Sequence, residues 1–399
     1  MKKVLIIFLC LFFVSSCCQR DSSKTLTITM SLGEEEWKVM RQDVFPPFEK
    51  EHNIKINAYQ IESGQLATKL QALESAEKSE IDLFAQDNMN LAMLINKDLV
   101  LDLSQYQGRI SGQIFENLTE ACRFDSRLMF MPFRPNVQIA YYNKDAFTRY
   151  NLSPPRSWGE LLYAAREFKQ KEGRGRVLLK GFGGNPTATQ LYEFILQAGG
   201  QPYSFDDPGC RLAFVFLKEL WENVSEESKR AKWDTTNTIL AQEEAYLAQN
   251  WPFGIVILVQ EYGLDFIGTY SGWRGPAGEY HVIGGDVLGI PKACQNKELA
   301  LQFIEYLQSK EVQEVLVAKL GWPSIRKDAY AQVQDWQKPH YESVKQALSH
   351  GRFRENVAWW PAYAKYVTEA FRECVIGQAD VDATLKKYKE KLEKDKTLY

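Results

Sequence analysis

The residues of this chain best able to engage a small molecule are acids, arginines and tryptophans rather than nucleophiles. Histidine is scarce: His52, His281, His340 and His350 are the only four, and none has the H-E-x-x-H spacing of a zinc helix. No G-x-S-x-G turn presents a serine. Cys122, Cys210, Cys294 and Cys374 are widely spaced without a C-x-x-C pair, so zinc and thioredoxin-like motifs are absent. Disulfides and buried thiols both remain open for them. Gly181-Phe182-Gly183-Gly184-Asn185 lacks the Lys-Ser/Thr of a phosphate loop and the spacing of a dinucleotide turn, which argues against a nucleotide. Two carboxylates far apart in sequence are still compatible with glycoside hydrolysis. No catalytic residue, metal or cofactor is expected, and binding is the leading class of function.

The elements that would carry these residues read as two α/β units. Leu26, Ile28 and Met30 alternate as a strand, and Glu34–Val44 follows as a helix with Trp37, Met40 and Val44 on one face. Ile54–Ile61 is a strand, Leu66, Leu70 and Leu73 mark a helix, and Ile81–Ala85 is a short buried strand with Asp87 at its end. This β-α-β-α-β order predicts a largely parallel sheet, with a ligand outside the carboxyl ends of the strands. Glu34, Glu35 and Asp87 fall in that zone. Acids also favour helix starts; Glu36 is read as such a charge, and Asp87 as a binding residue.

Met131–Phe147 is the stretch on which the two units turn. Pro132 and Pro135 impose extended entry, and Val137, Ile139 and Tyr141 keep a strand period, so the segment is read as a crossover. After it, Ser157 and Glu160 have capping-box spacing for a helix that Gly173 ends. Val177–Leu179 is a strand. Gln190–Gln197, Leu212–Trp221 and Ile239–Gln249 read as helices, and Gly254–Val259 as an apolar strand. Trp251 then sits on a helix-to-strand connection stiffened by Pro252, suited to lid a local core or to face a cleft. Val282–Pro291 is a second candidate crossover, in which Gly284 and Gly285 allow close approach or unusual φ. Gly321-Trp322-Pro323 is a third. Asn296–Leu307 and Glu311–Lys319 are helices, Trp359-Trp360-Pro361 opens a helix to about Gly377, and Asp380–Lys394 is the last.

A length of 399 residues suits two lobes better than one core. The first twenty residues read as a processing signal: Lys2 and Lys3, an apolar run Val4–Val14 too short to span a bilayer, then Val14-Ser15-Ser16-Cys17. That ending resembles the bacterial lipobox, which implies export, cleavage before Cys17 and lipid on its thiol. Gln19–Lys24 is then a short tether. The formal charge of −3 becomes −5 when Lys2 and Lys3 leave with the signal, which argues against nucleic acid as the partner. Trp 10, Tyr 19 and Phe 22 are generous aromatic counts. Trp and Tyr faces cover the apolar faces of sugar rings, while Asp, Glu and Arg bind hydroxyls by charge-assisted hydrogen bonds.

Several segments together resemble the extracellular solute-binding proteins of bacterial ABC importers, in the carbohydrate-binding group with maltose and trehalose binders. They are Asp82-Leu83-Phe84-Ala85-Gln86-Asp87, Met131-Pro132 leading to Tyr141-Tyr142-Asn143-Lys144-Asp145, Pro154-Pro155-x-Ser157-Trp158-x-Glu160-Leu161, Ala248-Gln249-Asn250-Trp251-Pro252, Gly284-Gly285-x-x-Leu288-Gly289-Ile290-Pro291 and Gly321-Trp322-x-x-x-Arg326. The resemblance implies an α/β, two-lobed periplasmic-binding-protein fold with three interlobe crossings and a helical C-terminal region. Its lobes would be 25–134 with 285–322, and 135–284 with 323–399, after a leader over 1–16 and a tether over 17–24. Carried over by position, sugar contacts would fall at Glu34 or Glu35, Gln65, Asp87, Asn136, Tyr142, Trp251, Gly285, Asp286 and Arg354, with Trp359 and Trp360 either adding aromatic surface or packing their helix. Two departures point to a different ligand from maltose or trehalose: Asp286 stands where an aromatic often follows the paired glycines, and Arg354-Glu355 where Arg-Pro is frequent. The expected partners are a sugar, permease subunits and the membrane through Cys17. A monomer facing the periplasm or the cell exterior is expected. A polyamine or other cationic solute is the alternative ligand, and an exported glycosidase the alternative class.

Overall fold

The computed structural model describes residues 24–62, 64–75 and 80–398. The leader, the start of the tether and Cys17 lie outside the described residues. Among the described residues, two larger sheets, one two-stranded hairpin and three apolar cores organise the chain. The first sheet takes β1 (Lys24–Met30), β2 (Ile54–Gln60) and β3 (Leu83–Asp87) in parallel, as the β-α-β-α-β order requires. The helix begun at Glu34 does not stop at Val44. It widens by one π-type turn over Met40–Val44, just ahead of Pro46 and Pro47, whose missing N–H groups cannot continue the regular ladder, and runs on as Phe45–His52. Met40, Val44, Phe45 and Phe48 stay buried through the change.

A small hairpin, β4 (Arg123–Phe124) with β5 (Arg127–Leu128), precedes the crossover. β6 (Met131–Val137) belongs to the first sheet, Gln138 intervenes, and β7 (Ile139–Asn143) belongs to the second. The second sheet has the order β10-β7-β9-β8, with β8 Val177–Leu178, β9 Leu247–Asn250 and β10 Ile267–Tyr270. β11 (His281–Gly289) returns to the first sheet, pairing antiparallel with β3 and β6 and parallel with β12 (Gly351–Phe353). Its first residues belong to the other lobe: Val282 packs in the second core and Leu288 in the first. The third crossing runs from Trp322 in the first core to Ile325 in the third. The fold is thus an α/β two-lobed periplasmic-binding-protein fold, closed by helices Lys338–Ser349, Trp360–Ala370 and Val381–Asp395.

Local signals hold where capping chemistry is explicit. Ser157 Oγ accepts from Glu160 N at 3.3 Å, and Gly173 ends that helix at φ 72°. They fail around Trp251. The expected helix Ile239–Gln249 is a helix Trp233–Ala241 followed by β9, whose four residues are all buried between β7 and β8. Pairing on both sides overrides the helix preference of Leu247 and Ala248. The expected apolar strand Gly254–Val259 is a short helix Phe253–Ile255 extended by a π-type turn, Val256–Glu261. Pro252, at φ −59° and ψ −22°, pre-sets helical entry. Likewise the Gly183–Gly184 pair begins a helix, Gly184–Gln197, rather than a loop before Gln190. Cys122, Cys210, Cys294 and Cys374 are buried free thiols.

Candidate functional site

A cleft of about 270 Å³ lies between the lobes. Glu36, Asp87, Met89, Arg134 and Asn136 line it from the first lobe, and Trp233, Trp251, Phe253 and Arg354 from the second. Gly284, Gly285 and Trp322 lie on the crossings between them.

Strand register builds the first wall. Asp286 on β11 sits opposite Asp87 on β3 and opposite Arg134 on β6, so three charged side chains form a row across three strands. Arg134 Nη2 lies 2.6 Å from Asp286 Oδ2, and Nη1 lies 2.9 Å from Glu36 Oε1. Trp322 Nε1 donates to the same Glu36 oxygen at 2.9 Å, and the guanidinium lies over the Trp322 ring at 4.5 Å. Burial acts to lower the Arg134 pKa, but Asp286, Glu36 and Asp87 outweigh it and hold the group firmly cationic. Burial, aided by Asp87 and Glu36, pushes the Asp286 carboxyl up to about 6, with Arg134 opposing. Asp87 caps the short turn Asn88–Asn90 by accepting from Met89 N at 2.8 Å.

Packing builds the second wall. Trp251 follows β9, and its carbonyl accepts from the buried Tyr141 hydroxyl at 2.8 Å. Asn250 Nδ2 donates to Trp233 O and to Asn237 Oδ1, which ties the Trp233 helix to the strand end. The Trp233 and Trp251 rings meet edge to face at 5.6 Å. Glycine admits the indole: a Cβ on Gly284 would sit 3.3 Å from Trp251 Cη2. Gly285, at φ 102°, has room for no side chain, since a Cβ would lie 1.9 Å from Arg134 O. Arg354 is buried, donates to Thr189 Oγ1 at 2.7 Å and to Asn88 Oδ1 at 3.3 Å, and stacks on Trp360 at 4.9 Å. Burial lowers its pKa, with Asp87 acting the other way.

Of the residues expected at the site, Asp87, Asn136, Trp251, Gly285 and Arg354 come together in the cleft. Asp286 lies beside it, turned to Arg134 rather than into the opening. Tyr142 is on the opposite face of β7 from Tyr141 and packs on Phe147 and Tyr270, away from the cleft. Trp359 packs edge-on against Tyr203 at 4.7 Å. Glu34 and Gln65 are exposed and do not reach the cavity, and the Glu35 side chain lies outside what is described. Sequence reasoning passed over Glu36, Arg134, Trp233 and Trp322. Reading Glu36 as a helix-start charge captures half its role: Oε2 accepts from Gly33 N at 2.7 Å, while Oε1 serves the cleft. The partners of Oε1 are 98 and 286 residues away, so no local signal could reveal them.

Two α/β lobes joined by three crossings, with polar and aromatic groups converging from both, define a binding protein of the interlobe-cleft class. Residues 44–343 match the family of bacterial extracellular solute-binding proteins, and the chain belongs to that family. It is 22% identical over 306 residues to an uncharacterised ABC transporter extracellular-binding protein of Pyrococcus horikoshii, covering 72% of this chain and 70% of that one. Among solved structures it is similar to the sugar-binding protein MalE of Xanthomonas citri, with a TM-score of 0.81 at 19% identity over 94% of this chain and 98% of that one. It is also similar to the maltose-bound MalE3 of T. maritima, with a TM-score of 0.76 at 20% identity over 93% and 99%. At these identities the structural likeness establishes the fold.

Proposed function

We propose that this protein captures a di- or oligosaccharide in the interlobe cleft by hinge closure and hands it, chemically unchanged, to the permease of an ABC importer. The observation that carries the reading is the pairing of walls: Asp87 and Asn136 offer polar groups from one lobe, while Trp251 and Arg354 offer an aromatic ring and a guanidinium from the other. A pyranose has apolar faces and a rim of hydroxyls, and such walls suit both. The sugar ligand named for the T. maritima relative is consistent with this. Glu34, Gln65, Tyr142 and Trp359 carry less weight as contacts in the geometry seen. Export follows from the family; anchoring through lipid on Cys17, a single-copy state and the di- or oligosaccharide length are parts of the proposal.

The cationic alternative draws on Glu36, Asp87 and Asp286, but Arg134 engages two of these acids and Arg354 adds a second positive charge. A thermal-shift panel of maltose, trehalose, other sugars and spermidine tests the choice, because a ligand held only by the folded state raises the melting temperature. A rise with a sugar and none with spermidine is expected. A rise with spermidine alone overturns the proposal, and release of reducing sugar from an oligosaccharide would overturn its non-enzymatic part.

A further inference from the structure

Away from the cleft, a second set of titratable groups is buried where the crossing strands enter the second lobe. Gln138 is the single residue between β6 and β7, and its Oε1 accepts from Lys180 Nζ at 2.9 Å. The Lys180 amine also donates to Gln249 O at 2.5 Å and is 2% exposed. On the other crossing strand, Val282 N donates to Glu193 Oε2 at 2.9 Å. Glu193 Oε1 accepts from Gln249 Nε2 at 2.8 Å and stands 3.7 Å from His281 Nδ1, while His281 Nε2 stands 3.0 Å from Glu279. Gln249 thus joins the lysine half to the glutamate half. The two halves grip adjacent positions, since Val137 pairs with Ile283.

We propose that Lys180 and Glu193 are hinge-positioning residues: Lys180 holds one crossing strand through Gln138, Glu193 holds the other through Val282, and the charge on the Lys180 amine sets the resting angle between the lobes. The donor count supports this. A neutral amine has two N–H groups for the two acceptors present; a protonated amine has a third, and a buried donor without a partner is costly. Burial brings the Lys180 pKa down to about 7, with Glu193 opposing, so the change falls near neutral pH. Other charges face the same network. His281 sits between Glu193 and Glu279, which outweigh its burial and raise its pKa to about 9. His350 lies 4.0 Å from Glu279. His281 therefore stays cationic while Lys180 titrates.

The test needs no ligand, so its outcome is independent of the sugar assignment. Small-angle scattering and amide exchange over 134–139 and 281–287, corrected for intrinsic pH dependence, are compared at pH 6 and pH 8 on the full chain. In the wild type the radius of gyration should shift, and exchange at both crossings should be faster at pH 6 by about tenfold. Lys180→Met has no donor for Gln138 or Gln249, so it should lose the pH response and exchange fast over 134–139 at both values; Lys180→Arg should keep the pH 6 behaviour at both values, while Glu193→Gln should loosen 281–287 first. Identical wild-type scattering and exchange at the two pH values overturn the proposal even if no variant folds. So does a Lys180→Met protein that folds and keeps the wild-type pH response.

Discussion

The two walls of the cleft differ in what holds them. The first is a row of charges set by strand register, in which Arg134 neutralises Asp286 and Glu36 at 2.6 and 2.9 Å. The second is a set of rings wedged by packing, with Trp251 between Gly284 and Trp233. Backbone pairing fixes Asp87, Asp286 and Arg134, Arg134 and Trp322 hold the helix-borne Glu36, and removing one strands the others. Rings held by packing tolerate loss of a neighbour more gently, but they supply the contact area on which affinity depends. The first wall should therefore answer to mutation mainly in stability and pH response, the second mainly in binding.

Removing Arg134 is the harshest way to probe that contrast. Arg134→Met leaves Asp286 and Glu36 without their cation, which should cost about 3 kcal/mol of stability, read by denaturant unfolding. A loss no larger than that of an exposed pair would mean the row is not a unit. Trp251→Ala should keep a cooperative melt while losing about 2 kcal/mol of binding, roughly a thirtyfold weaker complex, by calorimetry with the sugar that the thermal-shift panel identifies. Unaltered affinity in the folded variant would make Trp251 part of the core and not of the site.

Asp286 offers a gentler probe of the first wall. Its folded pKa, about 6, lies above the ordinary aspartate value. The folded protein therefore takes up a proton before the unfolded chain does, and stability gains from this group as pH falls from about 7 towards 4. In Asp286→Asn that gain should vanish, so the stability difference between the two proteins should change by about 1–2 kcal/mol across the window. A constant difference would mean that Arg134 keeps the acid ionised throughout. The smallest effect is expected of Gly284→Ala, where the new methyl presses on Trp251 at 3.3 Å. Stability should fall by less than about 1.5 kcal/mol while ligand affinity drops severalfold, because the indole must shift. A stability loss alone would mean that this contact does not set the position of the indole in the cleft.

Much of the architecture was legible in the chain itself. Period-2 and period-3.6 patterning up to Asp87, the Ser157 cap, the Gly173 stop and the proline-led crossover are local, and local chemistry decides them. Gly284 and Gly285 announced a close approach, and both make one. Asp87 stood out because it sits where a strand ends, and Trp251 because Pro252 stiffens the connection that carries it. What the sequence could not determine is everything that depends on partners far along the chain. Leu247–Asn250 is a strand because β7 and β8 flank it, not because its residues prefer extension. Tyr142 faces the second core and Tyr141 the third by the parity of one strand in its sheet. Glu36, Arg134, Asp286 and Trp322 make one network although they come from four distant segments. Their charges acquire meaning only when folding removes the water between them and brings each within hydrogen-bond reach of the next.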